Sequence, residues 1–393
     1  MSYSSFMINQ KSIYVLSSIL ILTVLTISGC GKLTRKSSDK FLRSGNEVGR
    51  AERFTLEKKN GYTEVAIINP WQGANNVNQI YCLVKRGSEL PEGMDSSSII
   101  FVPIQKIICM STTHLAMISA LGEEKSLAGV SGTGFVFSPE IIKRVEKGLV
   151  EDVGYEANLN NELILKISPD LIMIYGIGSE SAGYVGKIKE LGIKVIINAD
   201  YLETEPLSKA EWIKLFGALY CKEDFADSIF RTEVDEYSKF KSLISQNIAK
   251  RPKVLLGLPY KDTWYISPGN SFISRLINDA GGEYLWSATQ SSVSMPFGIE
   301  NVYLGGLSAD YWLNIGSVYS RNEISNVDQR LGDLPCFKND NLFNNNKRIT
   351  VKGGNDYWES GSLYPHLILK DIATILHPEL FSDHELVFYR KIY

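Results

Sequence analysis

Cysteine, histidine and surplus positive charge are all scarce in this chain of 393 residues, and each shortage removes a class of function. The five cysteines, Cys30, Cys82, Cys109, Cys221 and Cys336, are widely and irregularly spaced, which fits neither a disulfide framework nor a cysteine-based metal site. Cys109 lies in the apolar run "KIICM" and reads as a buried thiol. The four histidines, His114, His366, His377 and His384, show no metal-ligand spacing, and there is no His-Glu-x-x-His segment. The formal net charge is −3 with no lysine and arginine tract, so no nucleic-acid partner is expected. No Gly-x-x-x-x-Gly-Lys phosphate loop occurs, since "GVSGTG" at 129–134 lacks the lysine.

The composition that is present is globular, with 44% hydrophobic and 22% charged residues over a length sufficient for two ordinary domains. Residues 1–29 read as a signal peptide. After Lys11 the run "SIYVLSSILILTVLTIS" has the length of a signal-peptide hydrophobic region and is short for a membrane span. It ends in "ISGC", and small residues just before a cysteine resemble the lipobox of bacterial lipoproteins. That resemblance implies cleavage before Cys30, a lipid on the Cys30 thiol, and an extracytoplasmic (periplasmic) body anchored to a bacterial membrane. Residues 30–61 are mostly polar and aperiodic at their start, and are expected to form the tether.

Residues 62–104 predict a strand-rich extension, with "TEVAIIN", "IYCLV" and "IIFVP" as antiparallel strands and an aromatic turn "NPWQG" at 69–73. From Gln105 strands and helices alternate, which implies a parallel sheet with crossover helices in a lobe spanning 105–222. Ser138 and Pro139 mark one helix start, and Ser208 with Glu211 form a capping box opening "SKAEWIKLFGALY". Residues 223–248 hold no proline or glycine and predict one long helix, read as a rigid strut. The alternating rhythm restarts in a second lobe, 249–393, which includes "KRITV" as a strand and a helix over Pro365–Leu376. The expected fold is therefore α/β: two Rossmann-like lobes joined by one long rigid helix, preceded by the strand extension. Each lobe contains a similar phrase, "ISPDLIMIYG" at 167–176 and "LSADYWLNIG" at 307–316, each preceded by a short helix with an early glutamate, Glu162 or Glu300.

Two chemical readings compete. Gly176-x-Gly178 between a strand and a helix, with Asp200 ending the next strand, approximates a dinucleotide turn, although Ser181 stands where a third glycine belongs. It keeps open an exported α/β enzyme. The other reading starts from aromatic residues where the chain turns: Tyr155, Tyr175, Tyr260, Trp264 with Tyr265, Trp286, and Tyr357 with Trp358. Such residues can grip a large, partly apolar ligand in a cleft. The candidate ligand set is Tyr155, Tyr175, Tyr260, Trp264, Trp286 and Trp358, with His114, which opens a helix after a strand. No resident cofactor or metal site is expected.

From about Gln105 onward the chain resembles the substrate-binding proteins of ABC importers for iron–siderophore, haem and corrinoid (cobalamin) complexes. The resemblance rests on the "ISGC" segment, "STTHLAMISALG" with "GVSG", "LNNELILKISPDLIMIYG", "LGIKVIINAD", the long helix, "GNSFISRLINDAGG", "SADYWLNIG" and "LILKDIATILHPELF". It implies ligand held between two lobes with little hinge closure, no catalysis, a monomer, and delivery to an ABC transporter permease. By the same resemblance, Glu162 and Glu300 are the matching positions for the glutamates that dock on permease arginines. An iron(III) complex, siderophore or haem, is placed first and a corrinoid second. The extension departs from the family pattern.

Overall fold

The computed structural model describes residues 48–393 apart from 91–92, 156–157 and 177–180. The apolar N-terminal segment, Cys30, most of the expected tether and Gly178 lie outside the described residues. Among the described residues no helix is long and apolar enough to cross a membrane.

The extension is a four-stranded sheet of β1 (Phe54–Lys59), β2 (Tyr62–Ile68), β3 (Asn78–Lys85) and β4 (Ile99–Val102), in chain order. Two expectations are corrected here. β1 falls in the stretch read as tether, because only Phe54 and Leu56 of "FTLEKK" are buried and the polar remainder hides the strand. The sheet is also mixed, since β3 and β4 run parallel while β1–β2 and β2–β3 are antiparallel. Alternate residues Phe54, Leu56, Val65, Ile67, Tyr81 and Leu83 join the core of the following lobe. The Phe54 ring lies 4.5 Å from Trp212, centroid to centroid.

The N-terminal lobe is a parallel sheet of β5 (Ile107–Cys109), β6 (Leu127–Val130), β7 (Glu151–Asp152), β8 (Leu171–Tyr175) and β9 (Val195–Asn198), ordered β7-β6-β5-β8-β9. β5, β6, β8 and β9 are near-continuous apolar runs because helices cover both faces, whereas the edge strand β7 is charged and exposed. The helix Glu223–Asn247, 25 residues long, then leads to the C-terminal lobe. That lobe contains β10 (Lys253–Leu256), β11 (Thr263–Ile266), β12 (Glu283–Tyr284), β13 (Met295–Gly298), β14 (Tyr311–Leu313), β15 (Leu342–Asn344) and β16 (Arg390–Lys391). The main sheet runs β12-β10-β14-β15-β16 with only β16 antiparallel, and β11 pairs with β13 beside it. "KRITV" is not a strand. Thr350 instead closes a tight loop, donating its N–H to Gly354 O at 2.7 Å while its hydroxyl accepts from Gly354 N at 2.8 Å.

The twin phrases occupy matching places. β8 pairs with β5, the first strand of its lobe, and β14 pairs with β10, the first strand of the other. At each entrance the aspartate ties down the neighbouring first strand. Asp170 accepts from the N–H groups of Gln105 (2.6 Å) and Lys106 (3.0 Å), and Asp310 accepts from Lys253 N (2.8 Å).

The Ser208/Glu211 capping box does not form. The local helix starts at Pro206 with Glu205 before it. Ser208 donates to Arg50 O, and the Glu211 carboxylate accepts from three successive N–H groups, Gly49, Arg50 and Ala51, at 2.7–2.9 Å. Both residues hold the incoming extension rather than a helix end, a pairing between positions far apart in sequence.

Candidate functional site

A cavity of about 1000 Å³ lies between the C-terminal lobe on one side and the end of β9 with the extension on the other. Its floor is made at the carboxyl ends of parallel strands, where open α/β sheets hold ligands. Gly257 follows β10, Asn314 and Gly316 follow β14, and Asn345 and Asn346 follow β15. A network of amides fixes this floor. Asn344 Nδ2 donates to Gly316 O and Val318 O, both at 3.0 Å, and Asn355 Nδ2 donates to Asn345 O at 3.1 Å. Tyr389 donates its hydroxyl to Asn314 Oδ1 at 2.7 Å, and Arg390 Nε donates to Asn346 Oδ1 at 3.0 Å.

The walls are aromatic and neutral-polar. Tyr265, Phe272, Tyr319, Tyr357 and Trp358 come from the C-terminal lobe, and Tyr201 faces them from the turn after β9. Serines at 267, 271, 291, 292, 294 and 317 supply hydroxyls. The charged lining residues are Arg53, Lys209 and Glu203. Glu203 is buried, and burial pushes its carboxyl up to about 7 even though Glu52 N, Arg53 N and Trp212 Nε1 all donate to it.

Of the expected ligand set, Trp358 lines the cavity, 58% exposed. The others do not. Trp264 is fully buried, stacked on Trp312 at 5.7 Å, with its indole N–H donated to Leu256 O at 3.0 Å. Strand alternation decides this: β11 turns Trp264 into the core and Tyr265 toward the cavity. His114 is fully buried with neither ring nitrogen hydrogen-bonded, and burial lowers its pKa to about 3, so it packs as a neutral ring in the first lobe. The apolar face of its helix reaches all round, burying residues 114–118. Tyr175 packs beside the first lobe's second core cluster, and Trp286 sits between the two cores of the other lobe. Tyr155 and Tyr260 are 53% and 68% exposed and lie outside the cavity lining. Sequence reasoning missed Tyr201, Phe272, Tyr319 and the amide floor. The run "NNN" at 344–346 directly after an apolar strand was the available signal for that floor.

Glu162 and Glu300 are both exposed in the first turns of helices Asn161–Ile167 and Ile299–Gly306, which lead into β8 and β14. Arg330 approaches Glu300 at 3.6 Å. Two described residues of the dinucleotide-type turn, Gly176 and Asp200, are taken up by packing. Gly176 lies against Trp71 of the extension, whose backbone forms a parallel bridge with it. Tyr201 donates its hydroxyl to Gly176 O. Asp200 is fully buried, and burial raises its carboxyl pKa. Among the described residues no group of three His, Cys, Asp or Glu side chains is placed to hold a metal ion.

Two α/β lobes, a long connecting helix and a cleft at strand ends are the architecture of a solute-binding protein. The match of residues 107–350 to the periplasmic binding protein family is direct, and the chain belongs to that family. An uncharacterized lipoprotein of Methanocaldococcus jannaschii is 28% identical over 353 residues, covering 83% of this chain and 81% of the relative. The fold is shared with a periplasmic heme binding protein of Pseudomonas aeruginosa, at a TM-score of 0.58 and 15% identity over 74% of this chain and 98% of that one. It is also shared with a possible iron-binding periplasmic solute-binding protein of Staphylococcus epidermidis, at a TM-score of 0.54 and 18% identity over 70% of this chain and 99% of that one.

Proposed function

We propose that the chain is a lipid-anchored, extracytoplasmic binding protein that captures an intact metal chelate and delivers it to an ABC permease without transforming it. The observation that carries this is the interlobe cavity of about 1000 Å³ with aromatic walls and an amide floor. A bare ion needs converging anionic or imidazole ligands. This lining offers broad apolar faces and neutral hydrogen-bonding groups, which suit a bulky complex that brings its own ligands. An iron(III) complex, siderophore or haem, is the first reading, in keeping with the heme-binding and possible iron-binding proteins that share the fold. A cobalamin-type corrinoid is the second, favoured by the small number of charges on the lining. Trp358 and Tyr357 are assigned to the ligand, Glu162 and Glu300 to the permease, and Cys30 to the lipid.

Native mass spectrometry of the protein isolated from its own cells tests the reading directly, with a co-purified chelate expected. Quenching of tryptophan fluorescence by haem, an iron(III) siderophore or cobalamin, with no turnover, is the expected companion result. Nucleotide binding with none of these chelates would overturn it. Charge reversal of Glu162 and Glu300 is expected to leave chelate affinity within about twofold, as for exposed charges remote from a site, while lowering uptake. Lost chelate affinity in those variants would remove them from the docking role.

A further inference from the structure

We infer that the N-terminal extension is a wall of the ligand cavity, and that its Arg53, together with Lys209, receives an anionic oxygen group on the ligand. This rests on the chelate reading above and narrows it to chelates that carry a negatively charged arm.

The extension is locked where it enters the body. Five successive backbone N–H groups, Gly49 to Arg53, point at two buried carboxylates, the first three at Glu211 and the last two at Glu203. That anchoring sets the point from which the Arg53 side chain reaches the cavity. Farther on, the loop between β2 and β3 is closed on itself by a pair of bonds, Asn69 N to Val77 O at 2.7 Å and Val77 N to Asn69 Oδ1 at 3.0 Å. Its Trp71 rests on Gly176, where an added Cβ would stand 3.3 Å from the Trp71 Cβ. The next residue, Gln72, lines the cavity and donates from Nε2 to Ser292 O of the C-terminal lobe at 2.9 Å. The loop thus runs from the edge of one lobe to the other.

Charge gives this wall its chemistry. Arg53 and Lys209 are both half-buried on the lining, and among the described residues neither makes an ion pair. Lys209 lies over the Phe272 ring at 5.0 Å. The carboxylates near them are occupied or enclosed: Glu203 is saturated by N–H donors, and Asp200, which attracts Lys209 without a direct ion pair, is fully buried. Partly desolvated cations outside a direct ion pair gain from an anionic partner, and charge-assisted bonds to oxygen are the stronger kind. The opposite wall of tyrosine, tryptophan and amides takes the uncharged remainder of the ligand.

The test uses the full chain and two iron(III) probes of similar size: a tris-catecholate chelate, which is anionic, and a neutral tris-hydroxamate. Fluorescence titration of the unaltered protein is expected to show tighter binding of the anionic probe, weakening as salt is raised. Arg53→Gln and Lys209→Gln are each expected to lower affinity for the anionic probe about tenfold or more. Affinity for the neutral probe should change by no more than about twofold, and the thermal melt of Arg53→Gln should stay in place. Equal or tighter binding of the neutral probe, or unchanged anionic affinity in both variants, overturns the inference while leaving the chelate reading standing. Binding of neither probe overturns the inference, and the haem and cobalamin titrations above then decide the chelate reading separately.

Discussion

The two copies of one strand element do different work at their far ends. Both enter through an aspartate that ties down the first strand of the lobe, and both leave through a glycine, Gly176 or Gly316. In the C-terminal lobe that exit is open, and Asn314 and Gly316 form part of the ligand cavity. In the N-terminal lobe the same exit is covered by Trp71. The extension therefore covers that exit in the first lobe, which meets the cavity instead through Tyr201, Glu203, Thr204 and Lys209. The lesson is that equivalent backbone positions acquire function from what packs on them.

This contrast can be broken most severely through the extension's anchor. Phe54→Ala removes the ring seated against Trp212 and is expected to cost about 3–5 kcal/mol, read as a shift of the denaturant midpoint. A loss below about 1 kcal/mol would mean that the sheet is only loosely attached.

The paired aspartates sharpen the comparison at the next level. Asp170 holds two backbone N–H groups and also Arg86 of the extension at 2.7 Å, whereas Asp310 holds Lys253 N. Asp170→Ala is expected to cost about 2–3 kcal/mol and Asp310→Ala about 1 kcal/mol. Equal losses would show that the extension adds nothing to the first lobe's strand entrance.

The interlobe contact should respond to pH. Glu359 of the C-terminal lobe accepts from Phe137 N at 2.7 Å and Ser138 N at 2.8 Å in the other lobe, and burial raises its pKa from 4.5 to about 7. Below pH 4.5 folded and unfolded chains both hold this proton. Between 4.5 and about 7 the folded chain retains it while the unfolded chain releases it, so stability falls as pH rises through that window. Thermal melts from pH 5 to pH 8 should show this decline, and Glu359→Gln should flatten it. An unchanged slope in the variant would assign the decline to other groups, with Glu203 the first to examine.

The smallest effect concerns the loop between the lobes. Gln72→Ala removes the bond to Ser292 O and is expected to speed release of bound chelate about two- to tenfold with little change in stability. Stopped-flow displacement measures it, and an unaltered release rate would show that the bond to Ser292 O does not hold the loop.

Much of the architecture was legible in the chain because buried strands and amphipathic helices write their periods locally. The alternating rhythm from Gln105, the long helix and the Ser138–Pro139 helix start all follow from such patterns, and the structure contains each of them. β1 was hidden because its solvent-facing half is charged, and "KRITV" misled because β-branched residues also suit a tight loop. The site was less legible. Trp264 and Tyr265 are adjacent and both aromatic, and only strand register turns one inward and the other toward ligand.

By itself the sequence determined the order of elements, the doubled strand, the glutamates on the first turns of the helices before it, and membership of a binding family. These are properties of neighbouring residues, where hydrophobic period, caps and turns act over a few positions. The tertiary structure decided which residues meet the cavity, that Ser208 and Glu211 hold the extension, and that Trp71 covers Gly176. Those outcomes depend on contacts between segments far apart in the chain, where burial and charge pairing are settled only once the lobes have packed.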